Sequence, residues 1–384
     1  MAFKDSTAIV GVGQTRFGKG LAESELELAC QAIGAALADA GIDPAEVDAL
    51  GSYTMEETPE FEVARNLALG DIHFFSRVNY GGGAGPGAVG QVALAIAAGI
   101  AKVGVVWRSR KRADPSSRVW ANTPPVIRDH WKWSRPSGLL RPVDEVALLA
   151  RRYFHDHGEG RDALAEIAQQ QRRYANANPA ATMRDRTMTR DDYFAARMVA
   201  DPLCLFDNCL ETDGAVALVL TAADRSRDCR RRPVLIHAFS QGLARGHQSM
   251  TDYHRADPFD GSSGVTARNL WRQADFGPAD LSVAQIYDAF SPLVLFSLEA
   301  YGICGRGESA DFVRSGGLSP SGKLPTNTSG GGLSEAYIHG MNLLSEGVRQ
   351  LRGDGATPIA GARTCLVTGC DSTPTGALLL RAAA

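Results

Sequence analysis

The two halves of the chain begin and end on similar apolar runs, and this repetition restricts the folds open to it. The runs have the length of strands, follow turn residues and fall at residues 7–13, 213–220, 233–239 and 375–380. Helical stretches such as residues 24–40 lie between them, and strands that alternate with helices indicate an α/β fold. The repeat therefore predicts two related α/β halves.

A basic, turn-rich linker separates the predicted halves, which are residues 1–224 and 233–384. From about residue 108 to 201 the pattern changes, because this stretch is rich in Arg, Pro and Trp and holds short helices, predicted at 143–157 and 161–177. Segments this long inside a compact domain are usually lids or binding elements. We therefore predict a loop domain, inserted in the first half, that covers a site.

Composition argues against several classes of protein. A net charge of −3 over 384 residues does not suit a protein built to hold nucleic acid. The seven cysteines are odd in number and have no C-x-x-C spacing, which favours free thiols in a reducing cytoplasm and no structural zinc.

Gln91 and Lys102 interrupt the apolar stretch 85–106, so it predicts a buried helix and strand rather than a membrane span. We expect a cytoplasmic protein without a signal peptide.

A glycine-rich stretch at residues 81–87 lies where a predicted strand leads into a helix. Backbone N–H groups at such a junction bind anions, and Gly82 allows a ligand to approach closely. The stretch does not fit G-x-G-x-x-G, which argues against nucleotide binding. It therefore predicts an oxyanion or anion site.

Two motifs in the second half each place a tyrosine among polar residues and glycines. The first is 287–290, Tyr-Asp-Ala-Phe, and the second runs from Asn327 through Gly331 to Tyr337 and His339. A tyrosine has an unperturbed pKa of about 10, so it donates a proton at neutral pH, whereas neighbouring cations favour its use as a base. The alternative is that both tyrosines are core residues with satisfied hydroxyl groups.

These stretches resemble the signatures of thiolases. Tyr337 stands where the signature N-P-x-G-G-x-x-S-x-G-H-P has its histidine, and Tyr287 takes the polar first position of N/H-E/D-A-F. Gly82 or a neighbour stands at the acylated cysteine, while Cys370 aligns with the second thiolase cysteine. The resemblance implies a thiolase fold, with two βαβ-type halves in an α/β/α/β/α arrangement and an inserted loop domain.

Tyrosines at both positions, with no cysteine at residues 81–83, resemble the steroid side-chain-cleaving aldolases of the lipid-transfer-protein and sterol carrier protein X group. The resemblance implies a retro-aldol cleavage of a 17-hydroxy steroid acyl-CoA to a 17-ketosteroid and propionyl-CoA. Tyr287 and Tyr337 would form the acid–base pair, and which is the acid stays open. Secondary catalytic or oxyanion roles are expected for Gly82, Asp288, Gly331, His339 and Cys370. No metal or cofactor is expected, since coenzyme A enters as part of the substrate.

The resemblance also bears on coenzyme A and on partners. The inserted loop region contacts coenzyme A in thiolases, which points to Arg108 and Arg110 in the basic cluster 108–112, although such clusters are often only solvated surface. A homodimer is implied, as is a small DUF35-type OB-fold partner that completes a heterotetramer.

Two other functions stay open at this point. Loss of the nucleophilic cysteine alone would favour a non-catalytic carrier of acyl-CoA or lipid. A thiolase-like acyltransferase would need a cysteine at residues 81–83, where none is present.

Overall fold

The computed structural model describes residues 3–112, 127–129, 131–247, 250–371 and 373–383. The first half opens with β1 (Thr7–Gln14), α1 (Glu25–Ala40), β2 (Ala49–Tyr53), α2 (Glu60–Leu67), β3 (Phe74–Val78), α3 (Ala84–Ala97) and β4 (Val103–Arg110). The insertion contains α4 (Trp131–Ser134), α5 (Pro142–His157), α6 (Asp162–Ala177), α7 (Arg190–Ala195), β5 (Met198–Ala200) and β6 (Leu203–Cys204). Strand β7 (Gly214–Ala222) then closes the first half. The second half contains β8 (Val234–Gly242), α8 (Ser262–Trp271), β9 (Val283–Gln285), α9 (Pro292–Ala300), α10 (Ser309–Arg314), α11 (Met341–Arg352), β10 (Thr364–Thr368) and β11 (Thr375–Ala382).

The strand order of the large sheet repeats outward from its centre. Within the described residues, its nine strands run in the order β3-β2-β4-β7-β1-β8-β11-β10-β9, and β1 pairs antiparallel with β8 at the middle. In the first half β1–β7 and β7–β4 are antiparallel and β4–β2 is parallel. In the second half β8–β11 and β11–β10 are antiparallel and β10–β9 is parallel. The four apolar runs of the sequence form the central strands β1, β7, β8 and β11, which confirms the predicted repeat.

The helices form three layers around the two halves of this sheet. Helix α1 covers one face of β1, β4 and β7, and α3 and α11 pack against the opposite face. The same two helices contact β10 and β11, so they lie between the halves. Helices α8 and α9 cover the far side of the second half. Alternate strand residues enter different layers, with Leu378 facing α11 and Leu379 the outer core. The predicted α/β/α/β/α arrangement is confirmed.

Local sequence accounts for the bounds of α1. The Ser24 hydroxyl accepts a hydrogen bond from the Glu27 N–H, and the Glu27 carboxylate accepts one from the Ser24 N–H, which together form a capping box. The helix ends at Gly41, whose φ of 72° is a left-handed conformation that glycine adopts without strain. The helix predicted at residues 24–40 is thus confirmed.

The insertion begins later than the sequence suggested. Residues 108–110, read as its start, continue β4 and pair with β7 from Arg108↔Val216 to Arg110↔Gly214. Helices α5 and α6 confirm the helices expected at 143–157 and 161–177. Residues 113–126 and 130 of the predicted insertion lie outside the described residues. The domain boundaries at 224 and 233 stay a prediction. One sheet joins the two halves through β1 and β8, so the strands alone do not mark a boundary between domains. In the described part of the chain, no helix is long and apolar enough to cross a membrane.

Candidate active site

A cavity of about 500 Å³ lies between the insertion and the loops that follow the strands of both halves. This volume falls in the range of small-molecule sites, about 300 to 1,000 Å³. Its apolar wall consists of Pro142, Val143, Val146, Val199, Leu210, Met250, Ala289, Phe290 and Pro374. Five residues singled out in the sequence also line it, namely Gly82, Tyr287, Tyr337, His339 and Cys370. The insertion thus supplies part of the wall, as expected.

The two tyrosines meet at the wall of this cavity. Their hydroxyl groups are hydrogen-bonded to each other, and the rings lie 6.1 Å apart at 66°. Tyr287 follows β9 and is 2% exposed, and its N–H donates to the Thr368 hydroxyl over 3.1 Å. Tyr337 is 8% exposed, and its N–H donates to the Thr212 hydroxyl over 3.2 Å. Backbone hydrogen bonds from two different loops therefore fix the pair.

Burial governs the protonation of this pair. Loss of solvent raises the pKa of Tyr287 well above 10, and the neighbouring Tyr337 and Cys370 raise it further. Burial likewise raises the pKa of Tyr337 well above 10, against the opposing effect of Arg112. Both phenols are therefore protonated at neutral pH. The cavity wall thus contains two hydrogen-bonded O–H groups. Each oxygen can accept a proton while it releases the proton that it already carries.

Gly82 provides the space that Tyr287 occupies. A Cβ atom at Gly82 would lie 1.9 Å from the Tyr287 hydroxyl oxygen and 2.3 Å from the ring carbon that bears it. Gly340, with φ of 85°, makes similar room, since a Cβ there would lie 2.9 Å from the Tyr287 ring. The hydroxyl of Tyr287 thus fills the position that a nucleophile's side chain would need at residue 82. The oxyanion role expected of the Gly82 N–H stays a prediction.

Asp288 holds the turn that leads to Tyr337. Its carboxylate accepts hydrogen bonds from the Gly332 N–H over 2.9 Å and from the Leu333 N–H over 3.3 Å. Gly331 is required beside it, because a Cβ there would lie 2.3 Å from a carboxylate oxygen of Asp288. Neither Asp288 nor Gly331 lines the cavity. Both therefore contribute to the geometry around Tyr337 rather than to the cavity wall.

Relative to an Asp288→Asn variant, the wild-type protein is expected to lose stability as the pH rises from about 4 to 7. Burial raises the pKa of Asp288 from 3.8 to about 7, so the folded state holds this proton more tightly than the unfolded chain does. Its stabilising contribution is full below pH 3.8 and is lost as the pH rises through 7. Urea unfolding at several pH values measures the difference in the free energy of unfolding between the two proteins. This difference should change by an amount on the order of 2 to 4 kcal/mol over the range. A difference that does not vary with pH would contradict this assignment.

Arg108 and Arg110 lie within the protein rather than on the cavity wall. Arg108 is fully buried and donates to the Glu56 carboxylate over 3.1 Å. Arg110 donates to the Met55 carbonyl over 3.1 Å, and burial lowers its pKa to about 10. Arg112, two residues further along, does line the cavity. The predicted contact of Arg108 and Arg110 with coenzyme A stays a prediction.

Glu56→Gln is expected to lower the free energy of unfolding by about 3 to 5 kcal/mol, since it leaves the buried Arg108 charge without its partner. Glu56 is 3% exposed and also accepts from the N–H and the hydroxyl of Ser109. The partly exposed pair of Glu60 and Arg77 is the matched control, and Glu60→Gln should cost about 1 kcal/mol or less. Equal losses in the two variants, measured by denaturant unfolding, would argue against a structural role for the buried pair.

His339 is a neutral imidazole at the cavity. Burial lowers its pKa well below 6.5, and the charges of Arg108 and Arg112 lower it further. Its Nδ1 lies 3.4 Å from the Arg108 guanidinium, and because a guanidinium only donates, Nδ1 is the acceptor. Its ring meets the Tyr337 ring edge to face, with centroids 5.5 Å apart. His339 therefore packs against the tyrosine pair as a neutral group.

Two thiols complete the surroundings of the tyrosines. Cys370, expected from the sequence, lines the cavity, and burial raises its pKa to about 12. Cys209 lines it as well, with its pKa also raised to about 12 by burial. Both are therefore thiols rather than thiolates at neutral pH, which suits neither for nucleophilic attack.

Sequence reasoning missed Arg112 and Cys209. Arg112 belongs to the basic cluster 108–112, and its place two residues beyond Arg110 was an available signal, whereas nothing in the sequence around Cys209 indicates a cavity residue. In the parts of the chain that are described, no three His, Cys, Asp or Glu side chains are grouped as metal ligands would be.

Comparisons with known proteins place the chain in a family. Residues 244–378 match the family described as thiolase C-terminal domain-like. The chain is 42% identical to the 17-hydroxy-3-oxo-4-pregnene-20-carboxyl-CoA lyase of Mycobacterium tuberculosis, over 97% of this chain and 98% of the relative. It is 40% identical to the steroid side-chain-cleaving aldolase of Thermomonospora curvata, over 98% of each chain.

A solved structure agrees with these relatives. The Ltp2-ChsH2(DUF35) aldolase superposes with a TM-score of 0.93 at 40% identity, over 100% of this chain and 99% of the other. The chain thus has a thiolase-like fold. It belongs to the family of thiolase-like steroid side-chain-cleaving aldolases.

Proposed function

We propose that the protein cleaves the side chain of a 17-hydroxy steroid that carries a coenzyme A thioester, releasing a 17-ketosteroid and propionyl-CoA. The lyase and aldolase named above, 42% and 40% identical over nearly the whole chain, support this reaction class. The observation that carries the proposal is the hydrogen-bonded pair of Tyr287 and Tyr337, which lines a largely apolar cavity. Such a cavity suits the flat hydrocarbon skeleton of a steroid.

Bond cleavage requires one proton to leave the substrate hydroxyl and one to reach the departing carbon. The tertiary hydroxyl gives its proton to one tyrosine oxygen, and that tyrosine passes its own proton across the shared hydrogen bond. The second tyrosine then gives its proton to the departing carbon. Each tyrosine is neutral before and after the step, which agrees with the raised pKa values of both. A relay therefore explains how two buried phenols act without a resident tyrosinate.

The electrons move through the substrate itself, from the O–H bond toward the carbon that finally receives the proton. The pair from the O–H bond forms the new C=O bond of the 17-ketone while the C17–C20 bond breaks. The electrons of that bond pass into the thioester as an enolate, and protonation at the α-carbon gives propionyl-CoA. Because the thioester carbonyl accepts this charge, we propose that coenzyme A in the substrate suffices and that the reaction needs no further cofactor.

We further propose a homodimer and a DUF35-type OB-fold partner that together form a heterotetramer. The support for the partner is the Ltp2-ChsH2(DUF35) aldolase, whose thiolase-like chain this protein matches along its length. The seven cysteines are free, which favours a reducing, cytoplasmic location. Gel filtration with and without the co-expressed partner tests the assembly.

The test of the function is a product assay on a 17-hydroxy steroid 20-carboxyl-CoA, with and without the OB-fold partner. Mass spectrometry should detect equal amounts of 17-ketosteroid and propionyl-CoA. Tight acyl-CoA binding without products, in the presence of the partner, would instead identify a carrier. Transfer of the acyl group to free coenzyme A would identify an acyltransferase, which the filled position at Gly82 argues against.

A further inference from the structure

Arg112 stands beside one tyrosine of the pair and not the other. Its guanidinium carbon lies 5.7 Å from the centroid of the Tyr337 ring, and the side chain lines the cavity while only 8% exposed. The backbone N–H of Arg112 donates to the Asp213 carboxylate, which fixes the main chain at this residue. Within the described residues, the guanidinium Nε makes no hydrogen bond. The Arg112 cation is therefore a buried part of the cavity wall and lies against the Tyr337 ring.

Four of the groups near Tyr337 carry no charge, whereas Asp288, whose carboxyl accepts from the Gly332 N–H beside the Tyr337 ring, and Glu211, which lines the cavity, are acidic. Tyr287 is a neutral phenol, Cys209 and Cys370 are thiols, and His339 is a neutral imidazole. Arg112 opposes the rise that burial causes in the pKa of Tyr337. The groups that shift the pKa of Tyr287 are uncharged, namely Tyr337, Cys370 and Cys209. The Arg112 cation thus lies against Tyr337 and opposes the rise in its pKa, which makes the pair electrostatically asymmetric.

We propose that Arg112 is a positioning residue that acts through Tyr337 and makes this tyrosine the proton donor of the pair. The proposal rests on the proposed aldolase function. When Tyr337 gives its proton to the departing carbon, negative charge develops on its oxygen, and a cation against the ring stabilises that charge. Tyr287 then takes the proton of the substrate hydroxyl and passes its own to Tyr337. The shared hydrogen bond runs from Tyr287 to Tyr337 in this assignment.

Kinetics of Arg112→Met and Arg112→Lys test the role. Arg112→Met should lower kcat about 10- to 100-fold, since a desolvated cation–π contact is worth about 2 kcal/mol. KM should change little, and Arg112→Lys, which keeps the charge, should lose less. Arg112→Met should have no further effect in a Tyr337→Phe background. A raised KM with unchanged kcat would overturn the proposal and assign Arg112 to coenzyme A binding. Full additivity of Arg112→Met with Tyr337→Phe would overturn the proposal as well.

A second measurement is independent of turnover. A fluorinated tyrosine, which has a more acidic phenol, is placed at position 337 or 287 and titrated by fluorine NMR. Arg112→Met should raise the pKa of the phenol at 337 and shift the one at 287 less. Equal shifts, or none, would overturn the assignment even in an active enzyme. If the pKa of the phenol at 337 rises as expected but the protein has no aldolase activity, the electrostatic asymmetry is upheld and the proposed function fails.

Discussion

Tyr287→Phe and Tyr337→Phe will each lower kcat for side-chain cleavage by about 10²- to 10⁴-fold, the range expected for loss of a general acid or base. Each variant removes one oxygen from the relay, so no proton can cross from the substrate hydroxyl to the departing carbon. The rings are retained, and both lie in the core, so folding should be preserved. Steady-state kinetics with the OB-fold partner present, together with thermal unfolding, measure both quantities.

Tyr174→Phe is the matched control for these variants. Tyr174 is also a buried tyrosine, 2% exposed, whose hydroxyl donates to the Leu318 carbonyl over 2.9 Å and which does not line the cavity. Its loss should cost about 1 kcal/mol of stability and leave kcat near the wild-type value. A Tyr287 or Tyr337 variant that folds and keeps comparable activity would show that the hydroxyl in question is not part of the relay.

Gly82→Ala is expected to reduce kcat by at least about 10²-fold and to lower the free energy of unfolding by about 1 to 3 kcal/mol. The new Cβ would lie 1.9 Å from the Tyr287 hydroxyl oxygen, so the phenol must move away from Tyr337. Gly82→Cys should fail in the same way, because the space for a nucleophile is already filled. Kinetics and denaturant unfolding measure the two effects.

Gly34→Ala provides the comparison, since a Cβ at this helical position meets no atom of the described residues within 4 Å, apart from the backbone of its own helix. That substitution should leave kcat unchanged and stabilise α1 by up to about 1 kcal/mol. Should Gly82→Ala behave like Gly34→Ala, the close contact between Gly82 and Tyr287 would not exist in the working enzyme.

Local patterns account for the parts of the fold that the sequence predicts well. The four central strands are apolar runs bounded by turn residues, and α1 carries its own signals at Ser24 and Gly41. These features depend on neighbouring residues only. The layered arrangement was expected from the resemblance to thiolases, and the strand order came from the structure. By contrast, β9 spans three residues, too few to give a periodic signal, although Tyr287 beside it was recognised from its motif.

The remaining features depend on contacts between distant residues. Arg108 is buried because Glu56, 52 residues earlier, pairs with it, so the sequence pattern of the cluster does not reveal that Arg112 alone among the three arginines lines the cavity. The contact between Tyr287 and Tyr337 joins residues 50 apart. That both motifs belong to one site followed from the family resemblance. That their hydroxyl groups bond to each other, over a glycine at residue 82, needed the structure.

The most direct test of the relay is a comparison of both single Phe variants with the double variant Tyr287→Phe/Tyr337→Phe, under single-turnover conditions with the OB-fold partner present. If the two hydroxyls act as one unit, the double variant should lose about as much cleavage activity as either single variant, while acyl-CoA binding persists. Losses that multiply in the double variant would show two independent roles. Cleavage that survives in the double variant would contradict the proposal that the two tyrosine hydroxyls carry the proton relay.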